Sequence, residues 1–267
     1  MRVLHVLPLV AGCAFVALGC GDDDLNSPTL ETTSAKLAKL LPDHADLRAR
    51  LRQVLEEPNG GLGFEMWATI LDRNGVVVDV VFSGEHRADQ WPGSRVISAQ
   101  KANTANAFSL DGFALSTANL FAAVQPGGSL FGLQESNPVD TRVAYKGPAS
   151  AFGAHNDPMI GEAIGGINVF GGGLALYSAD GQLLGGLGVS GDTSCTDHII
   201  AWKLRHALNL DNVPAGPDAD SDSDNIIYTD GTIDGFEHPT CFDTEGQGDH
   251  VVIGNNLPTT DPLGPAE

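Results

Sequence analysis

Apolar runs on either side of a polar turn are typical of β-hairpins and occur in two parts of the chain. In "FEMWATILDRNGVVVDVVFSG", residues 64–84, two β-rich runs flank Arg73-Asn74-Gly75. Asn-Gly between such runs is a strong hairpin signal. Residues 160–189 repeat the arrangement with Asp180-Gly181 at the turn, and close packing and turn geometry are one explanation for their many glycines. Both segments predict antiparallel pairing.

Helical patterns lie before, between and after these hairpins. Leucines spaced by three and four predict an amphipathic helical region over residues 34–57 that is broken at Pro42. Residues 94–108, with Ser94 as N-cap, and residues 116–124 predict two more helices. The last helix is predicted over residues 192–208, with Ser194 as N-cap and Asp197 in a weak capping box. This order predicts an α/β fold in which helices cover one antiparallel sheet.

The N-terminus has the pattern of a lipoprotein signal. Residues 3–19 are almost wholly apolar, follow Arg2 and end in small residues before Cys20. We therefore expect a signal peptide over residues 1–19, lipidation at Cys20 and a polar tether over residues 20–33. Cys13 is a second possible lipidation site, and a simple cleaved signal or an uncleaved anchor are alternatives. Each of these places the folded part outside the cytoplasm, in the periplasm or at the surface of a bacterial cell.

The charge of the chain limits its partners. The formal net charge is −20, and residues 209–267 contain 13 Asp and Glu with no Lys or Arg. Nucleic acids and anionic lipid headgroups are therefore unfavourable partners, so membrane attachment is expected through a lipid anchor only. We interpret residues 209–267 as an acidic extension of a domain that spans residues 34–208.

The cysteines predict a single disulfide. If Cys13 leaves with the signal and Cys20 carries lipid, only Cys195 and Cys241 remain. In an oxidising compartment such a pair most simply forms a disulfide, which would stabilise the fold by about 3–4 kcal/mol. The competing interpretation joins Cys195 to His198, three residues on, as a nucleophilic or metal-binding pair.

The acidic segment suggests a weak calcium site. Alternating aspartates resemble the first half of a calcium loop, although Asn225 replaces the required glycine and Gly231 replaces the closing glutamate. The segment is therefore not an EF-hand, and a solvated acidic loop is the main alternative. The candidate ligands are Asp218, Asp220, Asp222 and Asp224.

Catalytic motifs are missing from the sequence. Neither a G-x-S-x-G elbow nor an H-E-x-x-H motif occurs, and no C-x-x-C-H haem attachment site is present. His86 in "GEHRAD" and His155 in "GAHND" fall in loops near turns. The sequence therefore gives no evidence for an enzyme from motifs alone.

An ordered series of segments resembles the GlcG/HbpS-like family of haem-binding or haem-degrading domains. The segments are "ATILDRNGVVVDVVFSG", "SRVISAQKANTANAF", "VQPGGSLFGL", "FGGGLALY", "DGQLLGGLGVSGDT" and "DHIIA". The resemblance implies a profilin-like α/β/α arrangement, frequent homo-oligomers, and binding of haem or a related tetrapyrrole. It also allows haem degradation or other oxidative chemistry in the same pocket, or a sensor or scaffold without a ligand.

The resemblance supplies no universal axial ligand, so the site residues are hypotheses. We expect a pocket between the Gly-rich hairpin and the helix over residues 94–108, where small residues let a flat macrocycle approach the backbone. The pocket backbone would be Gly171, Gly172, Gly173 and Gly191. Lys101 or Arg95 would pair with the propionates, and His155, His86 or His198 would approach the iron.

Overall fold

A four-stranded antiparallel sheet lies at the centre of the protein. The structure is a computed structural model that describes residues 38–220, 222–233 and 235–258. The strands are β1 (Trp67–Asp72), β2 (Val77–Phe82), β3 (Gly173–Tyr177) and β4 (Leu183–Ser190), in the order β2-β1-β4-β3. The two predicted hairpins are confirmed, since β1 pairs with β2 and β3 pairs with β4 across the expected turns.

Helices cover both faces of this sheet. The helices are α1 (His44–Leu55), α2 (Ser94–Ala107), α3 (Leu133–Ser136), α4 (Thr141–Ala144), α5 (Ser194–Ala207) and α6 (His250–Gly254). Helix α2 packs on one face, and α1 and α5 pack together on the other. The predicted α/β/α layers are confirmed. A short parallel pair, β5 (Ile227–Thr229) and β6 (Glu237–Pro239), lies after residue 208, in the part of the chain that we call the C-terminal segment.

The alternation of side chains along β1 explains the two layers. Trp67 and Leu71 join the apolar cluster beneath α2, whereas Ala68 and Ile70 join the cluster beneath α1 and α5. Successive side chains of a strand point to opposite faces, so one strand supplies both cores. All four of these residues are buried, as expected for a sheet that is covered on both sides.

Glycines in the second hairpin allow α2 to lie directly on the sheet. A Cβ atom on Gly188 would overlap the carbonyl oxygen of Ser98, and one on Gly186 would overlap that of Ala102. Gly173 meets Lys101 in the same way. The hairpin and α2 are therefore in backbone contact. The expected pocket between them is a wrong prediction, because the absent side chains make room for the helix itself.

Two local predictions are also corrected. Within residues 116–124 only Ala122–Val124 forms a single 3₁₀ turn. The side chain of Asn119 accepts hydrogen bonds from the Ser116 amide and hydroxyl, which favours turns over a helix. The N-cap of α5 is Thr193, whose hydroxyl accepts from the Thr196 amide, and not Ser194.

The N-terminal predictions lie outside the described residues. These are the signal peptide over residues 1–19, the lipidation site Cys20 and the tether over residues 20–33. Among the helices that are described, none has the length and apolar character that a membrane span requires.

Candidate functional site

One face of α5 holds the C-terminal segment. Cys195, His198, Trp202 and Arg205 are spaced by three, four and three residues, so they form a stripe along one side of the helix. Each contacts a different part of the C-terminal segment, which is thereby packed on the domain. We call these four residues the α5 stripe.

The first member of the stripe forms the predicted disulfide. Cys195 is bonded to Cys241, with an S–S distance of 2.01 Å. The disulfide prediction is confirmed, and the sulfur of Cys195 is not a free nucleophile in this structure. The indole Nε1 of Trp202 donates to the carbonyl oxygen of Pro258 at 2.7 Å and fixes the chain at that residue.

His198 is fully buried and engaged with the C-terminal segment. Its Nε2 accepts a hydrogen bond from the amide of Ile226 at 3.1 Å and lies 3.1 Å from Oδ1 of Asn225. Burial lowers the pKa of His198 to about 4, against the opposing field of Asp224. The imidazole is therefore neutral at neutral pH. Its Nε2 is engaged by the backbone amide of Ile226 and is not available to an iron ion.

Arg205 and Asp224 form a fully buried ion pair. Their two parallel contacts measure 2.8 and 2.7 Å, and Arg205 also donates to the carbonyl oxygen of Ala175. Bidentate geometry of this kind is the strong form of an arginine–carboxylate contact.

The Arg205–Asp224 pair also engages one of the four predicted calcium ligands, Asp224. Asp224 is committed to Arg205, and among the described residues no three of Asp218, Asp220, Asp222 and Asp224 converge as a metal-ligand group. The loop therefore lacks the geometry that the sequence pattern suggested.

The two predicted propionate-binding cations are buried and paired. Nζ of Lys101 lies 2.6 Å from Asp197 and also donates to the carbonyl oxygen of Val189. Burial lowers the pKa of Lys101 and raises that of Asp197 to about 6, although the lysine opposes the second shift. Arg95 donates to both carboxylate oxygens of Asp157 and to the carbonyl oxygen of Ala144. Neither cation faces a ligand from this position.

The four glycines of the predicted pocket are likewise covered by the protein. Gly171 lies against Ser194, Gly172 against the carbonyl oxygen of Val189, and Gly173 against Thr117. Gly191 lies against the side chain of Gln90, whose Nε2 donates to its carbonyl oxygen. These glycines permit close backbone packing.

An aromatic groove lies on the outer side of β2. Phe82 and Phe152 line two adjoining cavities of about 280 and 380 Å³. Trp67 extends the second cavity and stacks on Phe82, with ring centroids 4.6 Å apart. We call these two cavities together the aromatic groove. Its lining combines these aromatic rings with polar and charged side chains, and the rings offer a surface for a planar ligand.

A buried ion pair shapes the loop that closes this groove. Asp157, held by Arg95, accepts the amide of Gly153 at 2.7 Å, and the Arg95 guanidinium stacks on the ring of Phe152 at 3.7 Å. Gly153 has φ +78° and lies against Trp67, where a Cβ atom would overlap the indole ring. Arg95 therefore positions the loop with Phe152 and Gly153 that lines the groove.

Three histidines border the aromatic groove. The exposed His155 and the half-buried His44 line the smaller cavity, with ring centroids 6.5 Å apart, and the exposed His86 lines the larger one. Nδ1 of His44 lies 2.8 Å from Asp79, so this carboxylate orients the ring. Two of the three predicted histidines, His86 and His155, thus reach the same groove from loops 69 positions apart.

The charges at the groove are mixed. Arg48 donates to the carbonyl oxygens of Phe82 and Gly84 and lines the smaller cavity, and the exposed Arg87 lines the larger one. Glu85 lies where the two cavities meet. Its pKa is lowered chiefly by the hydrogen bond from Arg52, so it is a compensated carboxylate and not a proton donor at neutral pH.

Sequence reasoning missed His44, Arg48 and Phe152. No local pattern marks them, since His44 meets Asp79 from 35 positions away and Phe152 belongs to an irregular loop. The Arg95–Asp157 pair that positions the loop is equally remote in sequence. Only the fold brings these side chains together.

A separate group of possible metal ligands around one histidine, His250, is engaged in internal contacts. Nδ1 of His250 lies 2.8 Å from Asp243, and its Nε2 accepts the amide of Cys241 at 2.9 Å. In the part of the chain that is described, His250 belongs to both groupings of possible metal ligands, one with the two bonded cysteines and one with Asp243 and Asp249. The disulfide and these hydrogen bonds give the first grouping a structural role.

Comparison with known families identifies the class of the protein. The family described as "Haem degrading protein HbpS-like" matches residues 45–204. This match covers more than half of the 267 residues, so the chain belongs to the HbpS-like family. The resemblance seen in the sequence is confirmed.

Two solved structures are similar to this chain. The protein ORFY of Klebsiella pneumoniae, of family DUF336, is 24% identical with a TM-score of 0.42, over 61% of this chain and 86% of its own. PduOC in complex with heme is 24% identical with a TM-score of 0.40, over 67% of this chain and 94% of its own. The search of curated proteins gave no match.

Proposed function

We propose that this protein binds haem or a related tetrapyrrole in the aromatic groove. The observation that carries the proposal is the convergence of His44, His86 and His155 on one groove walled by Phe82 and Phe152. Imidazoles are common axial ligands of haem iron, and aromatic walls suit the faces of a macrocycle. Membership of a haem-related family supports the same ligand.

The proposed orientation follows from the position of the charges. His44 and His155 share the smaller cavity, so either imidazole would be available to bind the iron of the ligand. Arg87 at the other end is exposed and would pair with a propionate. Lys101, Arg95 and His198 do not contact the ligand in this proposal, because each is buried and bonded within the protein.

Titration of the purified protein with haemin tests this proposal. We expect a shifted Soret band that saturates at one haem per chain at micromolar concentration. The His155→Ala and His44→Ala variants should each bind at least tenfold more weakly, and the double variant should lose the shift. His206→Ala is the matched control, because His206 is half exposed and bonded to Asp211 away from the groove. An unshifted band, or equal binding by the double variant, would refute the proposal.

Haem degradation is the second candidate function, and the description of the family favours it. Addition of a reductant to the haem complex in air distinguishes the two. A degrading enzyme loses the Soret band with accumulation of an open-chain product, whereas a binding protein keeps a stable band. Loss of turnover in the His155→Ala variant would assign the activity to the groove.

We further propose that the folded domain is lipid-anchored outside the cytoplasm. The apolar run before Cys20 and the pairing of the two domain cysteines both support this location. Fractionation of cells that express the full chain tests it, since a Cys20→Ala variant should leave the membrane fraction. Retention of that variant in the membrane would contradict lipidation at Cys20. The expected homo-oligomer stays a prediction.

A further inference from the structure

A second cavity lies between the α5 stripe and the C-terminal segment. Its volume is about 630 Å³, within the usual range for small-molecule sites. Trp202 is the one lining residue from α5, and the others come from residues 218–257. We call this cavity the C-terminal cleft. It shares no lining residue with the aromatic groove.

The charge of the C-terminal cleft selects for cations. Asp218, Asp220 and Asp230 line it, and its lining contains no Lys or Arg. The surrounding segment, residues 209–267, has 13 acidic residues and no Lys or Arg in its sequence. A concave site with one sign of charge concentrates ions of the opposite sign. A dicarboxylate such as haem is therefore disfavoured here.

The rest of the wall favours an organic cation over a bare metal ion. Ile227, Tyr228 and Val251 line the cleft as partly exposed side chains and give it apolar and aromatic surface. A metal ion would leave this surface unused. Calcium also requires several oxygen ligands at one point, and the described residues bring no three of the cleft carboxylates together as a ligand group. A ligand with both an ammonium group and an apolar body uses both parts of the wall.

The cleft is held in shape by the α5 stripe. The Arg205–Asp224 pair, the Cys195–Cys241 disulfide and the Trp202–Pro258 hydrogen bond each fix a different part of its wall. Side-chain amides add to these contacts, since Asn225 donates to the carbonyl oxygen of Gly254 at 3.1 Å. A site that is rigid before binding loses less entropy when a ligand enters.

We propose that the C-terminal cleft is a binding site for a small organic ammonium compound with an apolar body. Calorimetric titration of the purified full chain with three probes of similar shape tests this. The probes are 2-phenylethylamine, which is cationic at neutral pH, the neutral 2-phenylethanol and the anionic 3-phenylpropionate. We expect the amine to bind at least tenfold more tightly than the alcohol, the acid not to bind, and amine affinity to fall as salt is added.

Two variants locate the binding. Asp230→Asn and Asp220→Asn, both exposed in the free protein, should each weaken amine binding threefold or more. Asp180→Asn is the control, because this exposed aspartate lies in the hairpin turn outside the cleft lining. Absence of amine binding at millimolar concentration would overturn the proposal. So would equal affinity for the alcohol, equal binding by both cleft variants, or displacement of the amine by stoichiometric calcium.

Discussion

The buried imidazole of His198 makes a quantitative prediction about stability and pH. The folded protein holds this group with a pKa of about 4, because burial disfavours the charged form, whereas an exposed histidine has a pKa of 6.5. Between these values the unfolded chain binds more protons than the folded chain, so acidification favours unfolding. The stability associated with neutral His198 is complete above pH 6.5 and is lost as the pH falls toward 4.

The size of this loss follows from the two pKa values. From pH 7.5 to pH 4.5 the difference in proton binding at His198 corresponds to about 2–3 kcal/mol of unfolding free energy. His238 adds a drop in the same direction, since burial also lowers its pKa to about 4. Asp197 acts in the opposite sense between pH 4 and 6, because its pKa is raised to about 6, chiefly by burial.

Urea denaturation followed by tryptophan fluorescence measures the effect of His198 alone. Between pH 7.5 and 4.5 the His198→Gln variant should lose about 2–3 kcal/mol less unfolding free energy than the parent protein. We compare the slopes of unfolding free energy against pH for the parent protein and the variant. This comparison removes the contributions of His238 and Asp197, which the two proteins share. His86→Gln, a change at an exposed histidine, should keep the parent slope. Equal slopes for the parent and His198→Gln would refute the placement of a buried neutral imidazole.

Three further predictions concern the packing of the domain. Asp224→Ala should lower the unfolding free energy by about 3–5 kcal/mol because it strands a buried guanidinium, whereas Asp220→Ala should leave it nearly unchanged; thermal melts decide. Gly188→Ala should destabilise the fold by about 1–3 kcal/mol, because the new methyl group would overlap the α2 backbone. Gly93→Ala is the control, because no atom lies near the position of its new methyl group. Equal melting temperatures for the two variants would contradict the close contact. Reduction of Cys195–Cys241 should destabilise by about 4 kcal/mol, measured as a lower urea midpoint in reductant.

The elements that could be predicted from sequence are those with local signals. Asn74-Gly75 and Asp180-Gly181 mark the two hairpin turns, and both turns are found. Helix α2 was predicted over residues 94–108 and occupies Ser94–Ala107. The helix expected over residues 116–124 failed, because polar side chains in that stretch bond to nearby backbone and to the sheet, as Thr117 does with the amide of Gly173.

The candidate site could be predicted only in part, because its residues meet through the fold. The sequence places His86 and His155 in loops near turns, and both reach the aromatic groove. The sequence suggests Lys101 and His198 as ligand-binding residues, but burial gives each an internal partner. Sequence indicates which side chains can bind a ligand, whereas exposure to a cavity depends on contacts between distant segments.

The same limit applies to the glycines of the second hairpin. Glycines such as Gly173 and Gly188 are typical both of loops that bind a ligand and of strands that pack closely on another backbone. The two interpretations differ in what lies against the glycines. In this protein it is the backbone of α2, at Lys101 for Gly173 and at Ser98 for Gly188. The packing interpretation therefore holds for this hairpin.

A crystal structure of the protein with haemin bound tests the central claim most directly. We predict a macrocycle against Phe82 and Phe152, with iron bonded to the imidazole of His155 or His44 and a propionate at Arg87. Haem located in the C-terminal cleft, or at a site without contact to any of these residues, would contradict the account.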